Sequence, residues 1–244
     1  TIPSDNEILY GLKLVYRPIN NEWGSIEESR KKESIMDGLS VSSASIIREK
    51  KQKLKLTYSD KETWSYNHIW GISELFNADL SISKIGQNIA STNPLKGRYH
   101  ALEKVYIRGG GKAMIFSQDK GDYITTSFRF SAGRLMGNGW IFGEMLNTYK
   151  VNNSISFNIN PKVSISGVSN PAGIGTSLNW RITDKIALIP ETNINLKGSQ
   201  SNWTIALRLS RSMNNYIDFY TTNSLSFVDT GQLIKAKDQS FGIN

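Results

Sequence analysis

Apolar and polar residues alternate along most of the chain with a period of two, the spacing of a strand that shows one apolar and one polar face. In EILYGLKLVYR, Ile8, Tyr10, Leu12, Leu14 and Tyr16 share one face, and Leu9, Gly11, Lys13, Val15 and Arg17 the other. In KQKLKLTY, Leu54, Leu56 and Tyr58 oppose Lys53, Lys55 and Thr57. Phe128 and Phe130 alternate with Ser127 and Arg129, and Ile155, Phe157 and Ile159 with Ser156, Asn158 and Asn160. The last third repeats the pattern: Leu178 and Trp180 against Asn179 and Arg181, then Trp203, Ile205, Leu207 and Leu209 against Thr204, Ala206, Arg208 and Ser210.

Glycine- and asparagine-rich stretches separate these runs at hairpin spacing, because such residues accept the positive φ of tight turns. Turns are expected at RPINN after Arg17, at RGGGK (108 to 112), SQDKGD (117 to 122), MGNG (136 to 139), SNPAG (169 to 173), KGSQSN (197 to 202) and MNN (213 to 215). The expected fold is all-β, one antiparallel up-and-down barrel of about 12 to 16 strands over residues 1–244. Residues 20 to 50 are charged and do not alternate, so they are expected to form a long loop or insertion, and 85 to 98 are similar.

A soluble β-sandwich would alternate as well and is the alternative fold. Two features favour a barrel that crosses a bilayer. Several runs approach the roughly 9 to 11 residues that a membrane strand needs. Aromatic residues also lie near the ends of runs, at Tyr10, Tyr16, Trp64, Trp70, Trp180, Trp203, Tyr216 and Tyr220, as interfacial girdles require.

The stretch SLNWRITDKIALIPETNINLKGSQSNWTIALRLSRSMNNYIDFYTTNSLSF, two tight turns flanking a longer loop, resembles the C-terminal hairpins of bacterial outer-membrane β-barrels. The resemblance covers residues 100 to 244 in hairpin style and carries no diagnostic motif. It implies an up-and-down transmembrane barrel, porin-like, with outer-membrane lipid around it. Such barrels finish on an aromatic residue, whereas here Phe241 lies three residues before Asn244.

Composition narrows the chemistry. The chain has no cysteine, which excludes disulfides, zinc-thiolate sites and cysteine nucleophiles. Its two histidines, His68 and His100, have no partners that suggest a triad or metal site, so no catalytic residue, metal or cofactor is expected. RGGGK lacks the spacing of a phosphate-binding loop and is followed by strand-like sequence. No apolar run of about 18 residues could form a membrane helix. Mean hydropathy is −0.35, so polarity is interleaved with the apolar residues. The start at Thr1, without a basic and apolar leader, suggests that an export signal has been removed.

Net charge is +8, which favours anionic partners. Lys13, Arg17, Lys53, Lys55, Lys104, Arg108, Arg129, Arg181 and Arg208 all fall on polar strand faces, which in a barrel point into the lumen. Glu191 and Asp218 are the clearest acidic residues placed likewise. The expected function is a non-enzymatic outer-membrane barrel, either a passive pore for small anionic solutes or a structural barrel. A soluble or periplasmic module binding acidic glycan or lipid is the alternative. The dispersed basic residues argue against nucleic acid, and a homo-oligomer is left open. Lumenal positions should tolerate change better than lipid-facing ones, with Arg208→Ser mild beside Leu207→Arg.

Overall fold

The computed structural model describes residues 37–60, 63–84, 105–135, 138–167, 170–197, 200–212 and 215–244. Twelve described strands form one closed antiparallel barrel: β1 (Gln52–Ser59), β2 (Trp64–Ser73), β3 (Phe76–Lys84), β4 (Val105–Phe116), β5 (Thr125–Leu135), β6 (Asn138–Lys150), β7 (Ile155–Ser166), β8 (Ala172–Arg181), β9 (Ile186–Asn195), β10 (Asn202–Ser212), β11 (Asn215–Ser224) and β12 (Lys235–Ile243). Each pairs with the next in the chain, and β12 returns to β1. The expected up-and-down barrel is therefore present, with the lower end of the anticipated strand number. The run EILYGLKLVYR and residues 85–98 lie outside the described residues.

Period-two alternation sets the two surfaces of the wall. Leu54 and Leu56 on β1, Phe128 and Phe130 on β5, Phe157 and Ile159 on β7, and Ile205 and Leu207 on β10 face outward and are exposed. Their chain neighbours, Ser127, Arg129, Ser156, Asn158, Thr204 and Arg208, face inward and are buried. The polarity is inverted relative to a sandwich in water, in which the buried faces would carry the apolar residues.

One expected turn is not a turn. RGGGK lies in the middle of β4, with Gly109 opposite Leu80 on β3 and Ala132 on β5. Two of its glycines, Gly110 and Gly111, serve close packing. A Cβ on Gly110 would meet the Cβ of Ser131 at 2.6 Å, and one on Gly111 would meet the Phe76 ring at 2.7 Å. SQDKGD does form a turn, ending on Gly121 at φ 103°, which L side chains rarely adopt.

The aromatic positions divide. Trp64, Trp180 and Trp203 lie near strand ends and face outward, as does the ring ladder Tyr66–His68–Trp70, in which His68 and Trp70 stack at 4.1 Å. Tyr216 and Tyr220 instead point into the barrel, sharing the parity of Asp218, so they are not girdle residues.

Two chain segments fill the interior. Residues 37–47 run through it without regular structure, with Leu39, Ser40, Val41, Ser43 and Ala44 buried. The β11–β12 connection, residues 225–234, folds back inside through a 3₁₀ turn, Asp229–Leu233, whose five residues are all buried. It is anchored by an apolar cluster in which Tyr106 stacks on Trp140 at 5.2 Å beside Phe142, Leu225, Val228 and Leu233. The two segments meet where Leu39 and Phe227 pack with Ile189, Ala206 and Tyr220. Of the loop expected around residues 20–50, residues 37–47 are thus an element inside the barrel, and Arg48, Glu49 and Lys50 are exposed.

Candidate functional site in the barrel lumen

Parity alone brings Lys53, Lys55, Arg108, Arg129 and Arg208 to the lumenal side of their strands, and neighbouring chain supplies a partner for each. Lys13, Arg17 and Lys104 lie outside the described residues.

The densest cluster surrounds Asp229. Its carboxylate accepts from Arg129 Nη2 at 2.5 Å and Ser131 Oγ at 2.7 Å, and lies 3.3 Å from Arg108 Nε. Arg108 also pairs with Asp79. Arg129 reaches Glu144 at 3.3 Å, and Glu144 in turn meets Lys162 at 2.9 Å. Asp229 has φ 44°, in the left-handed region that costs most residues strain but that aspartate tolerates. The folded-in turn is thus held by a buried charge in a special backbone conformation. Tyr106 tightens it by donating to the Val228 carbonyl at 3.1 Å.

A second cluster holds residues 37–47. Glu191 accepts from the backbone N–H groups of Leu39 at 2.7 Å, Ser40 at 3.0 Å and Val41 at 2.6 Å, and from Ser40 Oγ at 3.1 Å. Successive N–H groups converging on one carboxylate form an anion-binding concavity, and here the anion is the wall's own side chain. Lys162 donates to the Ser40 carbonyl at 3.3 Å, Asn193 at 3.0 Å and Gln232 at 2.6 Å, tying this segment to the 3₁₀ turn. Farther along, Lys112 donates to the carbonyls of Ser43 and Ser45, and Ala44 N–H donates to Thr148 Oγ1 at 2.7 Å.

A third cluster joins β1 to β10 and β11. Lys53 pairs with Asp37 at 2.7 Å, and Lys55 donates to the Gly38 carbonyl at 3.3 Å. Arg208 binds Asp218 in a two-pronged contact of 2.7 and 2.8 Å, and its guanidinium lies 3.9 Å from the centre of the Tyr216 ring. With its side chain 1% exposed and paired to a buried carboxylate, Arg208 is expected to tolerate change less well than alternation suggests. Arg181 stands apart at the rim, paired with exposed Asp184 at 3.2 Å.

Sequence reading missed several participants. Lys112 lay within a supposed turn. Lys162 extends the Ser156–Asn158–Asn160 parity by one further step and was within reach of that pattern. Asp79 and Glu144 alternate in the same way along β3 and β6, so their lumenal side was legible, although their partners across the lumen were not. Asp229 and Asp37 lie outside any strand and carry no such signal.

Among the described residues, the charges of the lumen largely offset one another. Asp37, Asp79, Glu144, Glu191, Asp218 and Asp229 nearly balance its basic groups, and the two inner segments occupy the space between them. Comparisons with protein families, curated proteins and solved structures found no match to this chain.

Proposed function

We propose that the chain is a bacterial outer-membrane β-barrel held closed by its own residues 37–47 and 225–234, with a structural or gated role and no enzymatic one. The observation that supports this reading is the inverted polarity of the wall. An exterior built from Leu54, Leu56, Phe128, Phe130, Phe157, Ile159, Ile205 and Leu207 suits acyl chains, and a closed sheet leaves few backbone groups for lipid to meet. The same polarity disfavours a soluble glycan-binding module, because most of the strand-borne basic residues that would grip acidic groups, Lys53, Lys55, Arg108, Arg129 and Arg208 among them, turn to the lumenal side.

Any solute path would require the inner segments to move, and one opened by withdrawal of residues 37–47 would pass Lys53, Lys55, Lys112 and Arg208. Small anions are the solutes proposed. Their preference should be weak, because acidic partners line the same space and reduce the field. The test is fractionation of expressing cells, followed by gel mobility of unheated and heated samples. Recovery in the outer membrane with heat-modifiable mobility is expected. Full solubility after lysis without detergent would overturn the reading.

A further inference from the structure

The barrel closes on a short seam. β12 and β1 share two register pairs, Gly242↔Ser59 and Ile243↔Tyr58, whereas β1 and β2 share seven. Ser59 N–H donates to Thr63 O, and Gly71 N–H to Lys51 O, so the odd-numbered residues of β1 turn their backbone groups toward β2. The even-numbered residues face the seam, as the Asp60 N–H to Phe241 O bond shows at its closed end. Tyr58 is engaged there through its carbonyl, which accepts from Tyr220 Oη at 3.3 Å. Below it, the N–H and C=O groups of Gln52, Leu54 and Leu56 face no strand among the described residues. Leu54 and Leu56 stand on the outward face of this unpaired stretch and are exposed.

We propose that this edge of β1 is a strand-docking site and that its occupant is residues 7–17 of the same chain. The proposal rests on the bilayer reading, because an open sheet edge is not tolerated at lipid depth. Two further facts identify the occupant. EILYGLKLVYR alternates as the wall requires, placing Ile8, Tyr10, Leu12, Leu14 and Tyr16 on one face beside Leu54 and Leu56, and Lys13 and Arg17 on the other beside Lys53 and Lys55. The chain also lies at the right place: Asp37 contacts Lys53 on β1 itself, 2.7 Å away. The 20 residues from Arg17 to Asp37 can span up to about 70 Å, well beyond the roughly 26 Å length of an eight-residue strand. The docked segment would supply main-chain hydrogen bonds along the edge and cover the two exposed leucines.

The chain has no cysteine, so introduced pairs report without background. Leu54→Cys or Leu56→Cys is combined in turn with Ile8→Cys, Tyr10→Cys, Leu12→Cys, Leu14→Cys and Tyr16→Cys in the full chain inserted in phospholipid vesicles. Leu207→Cys serves as the control partner, and each variant's folding is checked by heat-modifiable mobility. Mild oxidation should shift the mobility of the denatured monomer for at least one pair involving β1 and for none involving Leu207. Failure of every such pair in folded protein, or cross-linking only between two chains, would overturn the proposal. In the unmodified chain, amides of Leu54 and Leu56 that exchange with solvent as fast as that of fully exposed Tyr123 would also overturn it. Outer-membrane fractionation is scored separately, so a failed docking segment and a failed membrane assignment give different results.

Discussion

Removing the charge of Asp229 should loosen the inner turn more than any other single conservative change there. The side chain is fully buried and meets two guanidiniums and a hydroxyl. Asp229→Asn keeps the size and tolerates φ 44°, so backbone strain is nearly unchanged and the charge alone is tested. Breaking one side of a buried ion pair costs about 3 to 5 kcal/mol. The low end applies here, because Arg108 retains Asp79 and Arg129 retains Glu144. A loss of about 3 kcal/mol corresponds to roughly a hundredfold in the unfolding equilibrium. The assay is urea unfolding of vesicle-inserted protein, read as the folded fraction by gel mobility. A cycle with Arg129→Gln should show the double variant losing less than the sum of the single ones, since the two changes remove the same contact. A loss below about 0.5 kcal/mol for Asp229→Asn, the range of ordinary surface changes, would refute the idea that this contact holds the turn.

The remaining predictions concern the wall and the segment it holds. Leu207→Arg should destabilise the inserted barrel by about 2 to 4 kcal/mol if it lies near mid-bilayer. Arg208→Ser should cost a comparable amount for a different reason, leaving the buried Asp218 carboxylate with the Asn244 amide but without its guanidinium; a mild effect in the same unfolding assay would show that the Arg208–Asp218 contact contributes little. In planar bilayers the unmodified protein should pass no steady current, whereas Glu191→Ala, which leaves three N–H groups of residues 39–41 without their acceptor, should produce openings. Steady current from the unmodified protein would refute the closed-lumen reading, and silence from correctly inserted Glu191→Ala would refute the idea that Glu191 is what holds residues 37–47 across the lumen.

Alternation made the wall legible because a strand's period of two is fixed by backbone geometry, so Lys53, Lys55, Arg108, Arg129 and Arg208 could be assigned a side without knowledge of their partners. What alternation does not encode is the partner across the lumen. Asp79 and Arg108 are 29 residues apart, and Arg129 and Asp229 are 100 apart. Those distances depend on register and closure, which no local pattern carries. RGGGK misled because glycine has two uses, positive φ and close approach, and sequence alone does not separate them. Tyr216 and Tyr220 misled because position near a strand end was weighed above parity with Asp218. Residues 37–47 have no period at all, since their backbone is satisfied by side chains of the wall rather than by a neighbouring strand.

The two-rung seam between β12 and β1 also bears on the order of assembly. Every other pairing in the wall joins consecutive strands, and most close a short hairpin, for which the entropy loss is small. Gly242↔Ser59 joins positions 183 residues apart and gains only one neighbouring rung in return. Hairpins should therefore register first and this junction last, because distant contacts are disfavoured until the intervening chain is already ordered. Residues 37–47 immediately precede β1, and their contacts reach β9 some 150 residues later. They are best placed while the sheet is still an open trough, since the final junction then encloses them without threading. A nascent barrel would thus have its interior filled before its wall is complete, and the slow step of biogenesis would be the meeting of its two most distant strands.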